Sequence, residues 1–108
     1  MNAAATSAPP QLDIHSPVAH DGVMNHYATP DFWYRYRQLP AEVQALADKN
    51  FALMDQDPRH PSLRLKKVGA FWSARVGLHY RVLARERPEG LVWFWIGSHD
   101  EYDQLIAN

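Results

Sequence analysis

The chain contains no cysteine, which excludes disulfide bonds, thiol catalysis and metal sites built on thiolates. No apolar run approaches the roughly 20 residues that a membrane-spanning helix needs. A glycine-rich phosphate loop is also missing, and the six histidines are scattered without acidic partners at zinc spacing. We therefore expect a small soluble domain in the cytoplasm that uses neither a cofactor nor a metal ion.

Positive charge is absent from the beginning of the chain, because all 11 Lys and Arg residues lie between Arg35 and Arg87. Residues 1–31 hold three of the 12 acidic residues, so the net charge of −1 hides an excess of two positive charges in residues 32–108. This distribution favours a polyanionic partner at a local surface rather than through the charge of the whole chain.

Residues 1–26 are predicted to form a disordered tail, since MNAAATSAPP is rich in Ala, Ser and Pro and no periodic apolar pattern follows it. A secretory signal would need a basic start and an apolar core, and neither is present. Residues 27–108 are predicted to form a single domain. Two interpretations of the tail stay open: translation begins at Met24, or the tail is a genuine extension.

Helix signals fill the first half of the predicted domain. Thr29-Pro30-Asp31 supplies an N-cap hydroxyl, a proline at the first helical position and an acid near the positive end of the helix dipole. Pro40 can begin a second helix, and Asp57-Pro58 ends it. The pattern predicts a helical hairpin over residues 30–56.

The second half alternates as strands do, and a capped helix follows. The predicted strands are Leu63–Val68, Phe71–Val76, Tyr80–Glu86 and Leu91–Ile96, and Ser98 to Glu101 matches a capping box. We predict an α+β fold in which the N-terminal helical hairpin packs on an antiparallel β-sheet meander, with a short C-terminal helix. Alternation places Trp93 and Trp95 on one face of the last strand, where they either pack in the core or stack nucleobases on an open face.

Three side chains near the strand ends indicate chemistry. Arg75 and Arg81 are permanent cations on neighbouring predicted strands. His99 follows the last strand, and histidine is the residue type that titrates near neutral pH. RNA cleavage by a 2′-hydroxyl needs a base, an acid and a cation that stabilises the extra charge on phosphorus. The simpler interpretation is a solvated strand face and an exposed first helical turn.

The segment from Tyr27 to Ile106 resembles the RelE/ParE superfamily of bacterial type II toxin–antitoxin toxins. The resemblance is carried by LPAEVQALADKNFALMDQDPRHPSLRLKKVG, WSARVGLHYRVLA and WFWIGSHDEYDQL. It implies two helices on an antiparallel sheet and a cognate antitoxin protein as partner. Many members are ribosome-dependent endoribonucleases that cut mRNA on the ribosome, and others inhibit DNA gyrase without a known catalytic role.

The resemblance also implies roles for particular residues. Arg75 and Arg81 match basic residues that stabilise the scissile phosphate, and His99 matches a position held by Arg or His that moves a proton. Tyr102 is the candidate for a tyrosine that acts as base or stacking group, although it stands about a turn earlier than in those members. Ser73 stands where one ribonuclease branch has Lys. Lys66 and Lys67, at the edge of the predicted sheet, complete the predicted RNA-binding set, although a solvated strand edge would explain them equally.

The function we expect is therefore that of a toxin that cleaves mRNA and inhibits translation. Because the positive end of a helix dipole disfavours a charged imidazole, we expect His99 to act as the base. Two alternatives remain: a non-catalytic toxin that inhibits DNA gyrase, and a degenerate toxin that only binds its antitoxin.

Overall fold

The computed structural model describes residues 25–107 as three helices on a five-stranded sheet. The order is β1 (His26–Ala28), α1 (Pro30–Arg37), α2 (Ala41–Gln56), β2 (Lys66–Val68), β3 (Phe71–Val76), β4 (Tyr80–Arg87), β5 (Gly90–Ser98) and α3 (His99–Ala107). None of these helices combines the length and apolar character needed to cross a bilayer. The α+β fold is the one that the sequence predicts.

The helical hairpin forms where its end signals stand. The Oγ1 of Thr29 accepts a hydrogen bond of 3.1 Å from the backbone N–H of Phe32, which caps α1. Pro40 precedes α2, and Asp57 follows its last residue. The Tyr36 hydroxyl donates to Asp48 Oδ1 at 2.6 Å, joining the two helices, and burial followed by this hydrogen bond raises the pKa of Tyr36.

The sheet has the order β1-β5-β4-β3-β2, and β2 to β5 pair antiparallel as predicted. The strand predicted over Leu63–Val68 is shorter than expected. Residues Pro61–Leu63 form a 3-10 turn, and Arg64 takes a left-handed backbone with φ of 49°. Because left-handed backbone cannot continue a strand, β2 begins only at Lys66.

The sequence did not predict β1, which pairs parallel with β5 and makes the sheet mixed. Most of the predicted tail, residues 1–24, lies outside the described residues. His26, placed at the end of that tail, is instead a buried member of β1, so the proposed domain boundary moves towards the N-terminus. Gly90 permits this pairing, because a Cβ there would meet the carbonyl oxygen of Asn25 at 2.3 Å.

The main core lies between the helices and one face of the sheet, which we call the inner face. Its largest buried side chains include Phe32, Met54, Leu91, Trp93 and Ile96. Replacing a buried aromatic such as Phe32 by alanine typically costs about 3–5 kcal/mol. The opposite, outer face carries a smaller cluster of Leu83, Trp95 and Tyr102, formed where α3 folds over the sheet.

A β-bulge in β5 separates the two tryptophans. Leu83 pairs with Trp95 and the next residue, Ala84, pairs with Trp93, so Phe94 is the extra residue. Trp93 enters the inner core, whereas Trp95 packs on the outer face. The prediction that they share one face is wrong, because the bulge interrupts the alternation on which it rested. Both are at least 95% buried, so neither can stack a nucleobase.

We expect the stability of the domain to fall as the pH decreases below about 6.5. Burial lowers the pKa of His26, and only the charge of Asp55 opposes this shift. The unfolded chain then takes up a proton near pH 6.5 that the folded chain does not bind, which favours unfolding by at most about 1.4 kcal/mol per pH unit.

Urea unfolding of the wild type and of His26→Asn at pH 7.5, 6.5 and 5.5 measures this effect. Asparagine retains an acceptor for the Trp93 indole N–H, which donates to His26 Nδ1 at 3.0 Å, but it does not titrate. The variant is therefore expected to lose less stability on acidification than the wild type. Equal losses would show that His26 does not govern the pH dependence.

Candidate functional site

Arg75 and Arg81 lie directly opposite each other in the β3–β4 ladder. Alternation sends Ala74 and Val82 into the inner core, so the two arginines are directed to the outer face. The sequence placed the two arginines on neighbouring strands, and the register of the ladder sets them opposite each other. Like charges directly opposite each other in a ladder destabilise the fold, so the stability of the sheet does not explain why two arginines face each other here.

A cleft of about 290 Å³ lies beside the pair, and we call it the arginine cleft. It is lined by Arg64, Leu65, Lys66, Ser73, Arg75 and Arg81. Lys66 joins because it pairs with Ser73 across β2 and β3, and Ser73 is 2% exposed. The sequence did not predict Arg64 as a member of this cleft. A left-handed backbone at Arg64, directly after the 3-10 turn, brings its side chain here, and no local sequence pattern predicts that conformation.

The four cations of the arginine cleft repel one another. Burial, followed by the charge of Arg75, lowers the pKa of Arg81. Among residues 25–107 no carboxylate forms an ion pair with any of the four, and the buried Nε of Arg75 has no hydrogen-bond partner there. Such a concentration of unpaired positive charge suits a polyanion, which would replace the missing counter-charges.

His99 and Tyr102 adjoin the arginine cleft through Arg81. The guanidinium carbon of Arg81 lies 5.7 Å from the centre of the Tyr102 ring, which in turn stacks on His99 at 6.0 Å. The capping box that begins α3 is present, because Ser98 Oγ accepts from the Glu101 N–H at 3.1 Å and Glu101 accepts from the Ser98 N–H at 3.0 Å. Tyr102 is 4% exposed and thus holds Arg81 and His99 in place rather than presenting a free ring.

The ring nitrogens of His99 differ in their surroundings. Nε2 lies 3.2 Å from Asp103 Oδ2, whereas Nδ1 is buried and finds no partner among the described residues. A carboxylate only accepts hydrogen bonds, so the Nε2 facing Asp103 carries a proton. Asp103 engages that proton, so Nε2 can give it to a substrate only where the substrate oxygen takes the place of the carboxylate. The expectation that His99 acts as the base stays a prediction.

Lys67 does not join this group. It pairs with Trp72, whose ring packs against the inner core, so its side chain is directed to the face opposite Lys66. There it meets Glu86 at 3.3 Å, and the indole N–H of Trp72 donates to the same carboxylate oxygen at 2.9 Å. These two hydrogen bonds, that of Trp72 first, lower the pKa of Glu86. Lys67 thus belongs to a surface cluster away from the arginine cleft.

A second, larger groove of about 1000 Å³ shares Arg64 and Arg75 with the arginine cleft. It runs between α2, the segment before β2 and the β3–β4 turn, and we call it the leucine groove. Leu46 and Leu78 line it although they are 40% and 74% exposed. Lys49 and Arg59 add further positive charge to its walls.

Across residues 25–107, no three His, Cys, Asp or Glu residues come together as metal ligands.

The sequence model of the ParE-like toxin domain matches residues 43–104, more than half of the chain. The chain therefore belongs to this family and is a toxin of the toxin–antitoxin class, which confirms the resemblance to the RelE/ParE superfamily.

Among solved structures, the toxin–antitoxin complex RelBE2 from Mycobacterium tuberculosis has a similar fold, with a TM-score of 0.51. The two sequences are 22% identical, and the match covers 70% of this chain and 98% of the other. At this identity the likeness supports the fold alone. No curated protein matches the sequence.

Replacing Arg75 by threonine is expected to stabilise the domain by about 0.2–1 kcal/mol, because it removes the like charge opposite Arg81 and places a β-branched residue in a strand. Urea unfolding at low salt is the measurement, and 0.5 M NaCl should reduce the gain by screening. Arg37→Thr on α1 serves as the matched control. A loss of stability in Arg75→Thr beyond that of the control would mean that Arg75 is held for structural reasons.

Proposed function

We propose that the chain is a toxin that cleaves mRNA on the ribosome. The observation that supports this most is the convergence on the arginine cleft of four cations that form no ion pair within residues 25–107, next to a histidine paired with an acid. A phosphodiester supplies the negative charge that the cleft lacks. Its phosphorane transition state carries more charge than the ground state, so fixed cations there lower the barrier.

In the proposed reaction the 2′-hydroxyl oxygen attacks the adjacent phosphorus while its proton passes to a water molecule. The new P–O2′ bond forms as the P–O5′ bond breaks, and the 5′ oxygen leaves with a proton. Arg75 and Arg81 stabilise the charge on the phosphoryl oxygens, and Lys66 and Arg64 hold the backbone. His99 donates the proton from Nε2 to the 5′ oxygen, which replaces Asp103 as the partner of that nitrogen.

His99→Ala is expected to abolish mRNA cleavage on translating ribosomes, and Arg81→Ala to reduce it by on the order of 10² or more. Stability should change little for His99→Ala, within about 0.5 kcal/mol, because the side chain is surface-exposed. Cleavage sites mapped by primer extension provide the measurement, and Arg37→Ala on α1 is the control of equal charge change. If His99→Ala kept full toxicity while Arg75→Ala and Arg81→Ala were inactive, the toxin would act through its positive charge and not through proton transfer.

A second candidate is a toxin that inhibits DNA gyrase without catalysis. Two observations favour it: Ser73 stands where a ribonuclease branch has Lys, and the Tyr102 ring is buried rather than free to contact a base. Inhibition of gyrase supercoiling by the purified chain, without ribosomal cleavage, would select this function. Inactivity in both assays would leave the degenerate toxin.

The partner that we propose is an antitoxin whose acidic, amphipathic segment lies in the leucine groove. Such a segment would bury Leu46 and Leu78 and would meet the Arg64 and Arg75 that the arginine cleft also uses. Occupation of the groove would therefore neutralise two cations of the site without entering the site itself.

Induction of the chain alone is expected to arrest growth, and co-expression of the antitoxin to restore it. Leu78→Glu should keep the toxicity but prevent the rescue, since it places an acid where an acidic segment binds. Tyr34→Glu, at a residue of α1 that is 62% exposed and lies outside the groove, should be rescued like the wild type. Rescue of Leu78→Glu at wild-type efficiency would place the antitoxin elsewhere.

A further inference from the structure

An aromatic and cationic platform lies on the same outer face as the arginine cleft. It consists of Phe71, Arg85 and Phe94, and we call it the Arg85 platform. The guanidinium carbon of Arg85 lies 5.2 Å from the centre of the Phe71 ring and 4.7 Å from that of Phe94. The two rings are 5.2 Å apart and inclined by 59°. Both are only half-buried and Arg85 is exposed, so the platform faces solvent.

The β5 bulge creates the platform. In a regular ladder Phe94 and Trp95 would point to opposite faces, but the extra residue lets both pack against the outer cluster. Phe71 arrives from the other side, because it pairs with Arg85 across β3 and β4. Bulges that redirect a side chain are over-represented beside functional sites.

The platform and the arginine cleft are continuous along the strands. Phe71 stands two residues before Ser73 on β3, a distance of roughly 7 Å, and Arg85 stands four residues after Arg81 on β4, roughly 13 Å. Buried Leu83 fills the sheet surface between them. An extended ligand that is bound in the arginine cleft and continues along this face therefore reaches the platform next.

We propose that the Arg85 platform stacks a nucleobase of the RNA strand whose phosphate occupies the arginine cleft, an inference that rests on the proposed ribonuclease function. Aromatic rings and guanidinium planes are the groups on which proteins stack unpaired bases. A protein helix laid on this face would have to bury five cations, Arg64, Lys66, Arg75, Arg81 and Arg85, with few partners. A phosphodiester strand neutralises the first four and offers a π face to the fifth.

Binding of a 2′-O-methyl RNA hexamer with a single 2-aminopurine tests the proposal, because the oligonucleotide has no free 2′-hydroxyl to attack. We expect the fluorescence of 2-aminopurine to be quenched at one position of the hexamer on binding. Arg85→Lys, which keeps the charge but loses the planar group, and Phe71→Leu, which keeps the apolar volume, should each weaken binding on the order of tenfold and relieve the quenching. Arg37→Lys is the matched control and should bind as the wild type does.

An abasic nucleotide at the quenched position separates stacking from charge. We expect it to weaken binding to the wild type about as much as Arg85→Lys does, and to add little in that variant. Equal binding by Arg85→Lys, Phe71→Leu and the wild type overturns the platform, as does an abasic hexamer bound like the parent. If Arg85→Lys and Phe71→Leu were no longer rescued by the antitoxin but still bound RNA like the wild type, the platform would be a protein-binding surface.

Failure of the wild type to bind the hexamer even at millimolar concentration would also overturn the platform. The proposed function is judged separately, by cleavage on the ribosome. Cleavage that depends on Arg81 and His99 but is unaffected by Arg85→Lys would leave the proposed function in place without the platform.

Discussion

The indole of Trp93 is the contact on which the arrangement of the layers depends. Its N–H donates to His26 of β1, and its ring lies edge-to-face with that of Phe51 on α2, the two centroids being 5.5 Å apart. The backbone carbonyl of Trp93 accepts from the N–H of Thr29 at the start of α1. One buried residue thus fixes the parallel strand, the hairpin and β5 relative to one another. The bulge that places Phe94 on the outer face directly follows Trp93, so the geometry of the outer face also depends on the position of Trp93.

The features that the sequence predicts correctly are those with local signals. The hairpin was predicted because Thr29 and Pro40 mark helix starts with side-chain and backbone chemistry of their own. The strands β3 and β4 were predicted because alternation extends over at least six residues, whereas the register that sets Arg75 opposite Arg81 is seen only in the structure.

The features that were missed depend on residues distant in sequence or on a single backbone angle. His26 stands 67 residues from Trp93, and a three-residue strand is too short for its pattern to be distinguished from coil. Arg64 reaches the arginine cleft through one left-handed angle. Lys66 and Lys67 are equivalent in the sequence, and only the register with β3 decides which of them faces the cleft.

The arginine cleft illustrates a conflict between stability and binding. A strand pair of two arginines, a buried guanidinium nitrogen without a partner in the described part of the chain and two more nearby cations all oppose folding. The adjoining helix start compensates in part: the capping box fixes α3, and Tyr102 offers its ring to Arg81. An anion bound there, as we propose, would relieve this repulsion, and its binding would then be thermodynamically linked to folding.

The bulge in β5 also affects how this chain can be compared with others. Up to Trp93 the inward-facing residues of β5 are odd-numbered, as Leu91 and Trp93 are, and beyond the bulge the inward residue is Ile96. A gap-free alignment with a chain that lacks the extra residue matches inward positions to outward positions over one half of the strand. Percentage identity then understates the kinship, and residue roles transferred across the bulge without a gap fall on the wrong face of the sheet.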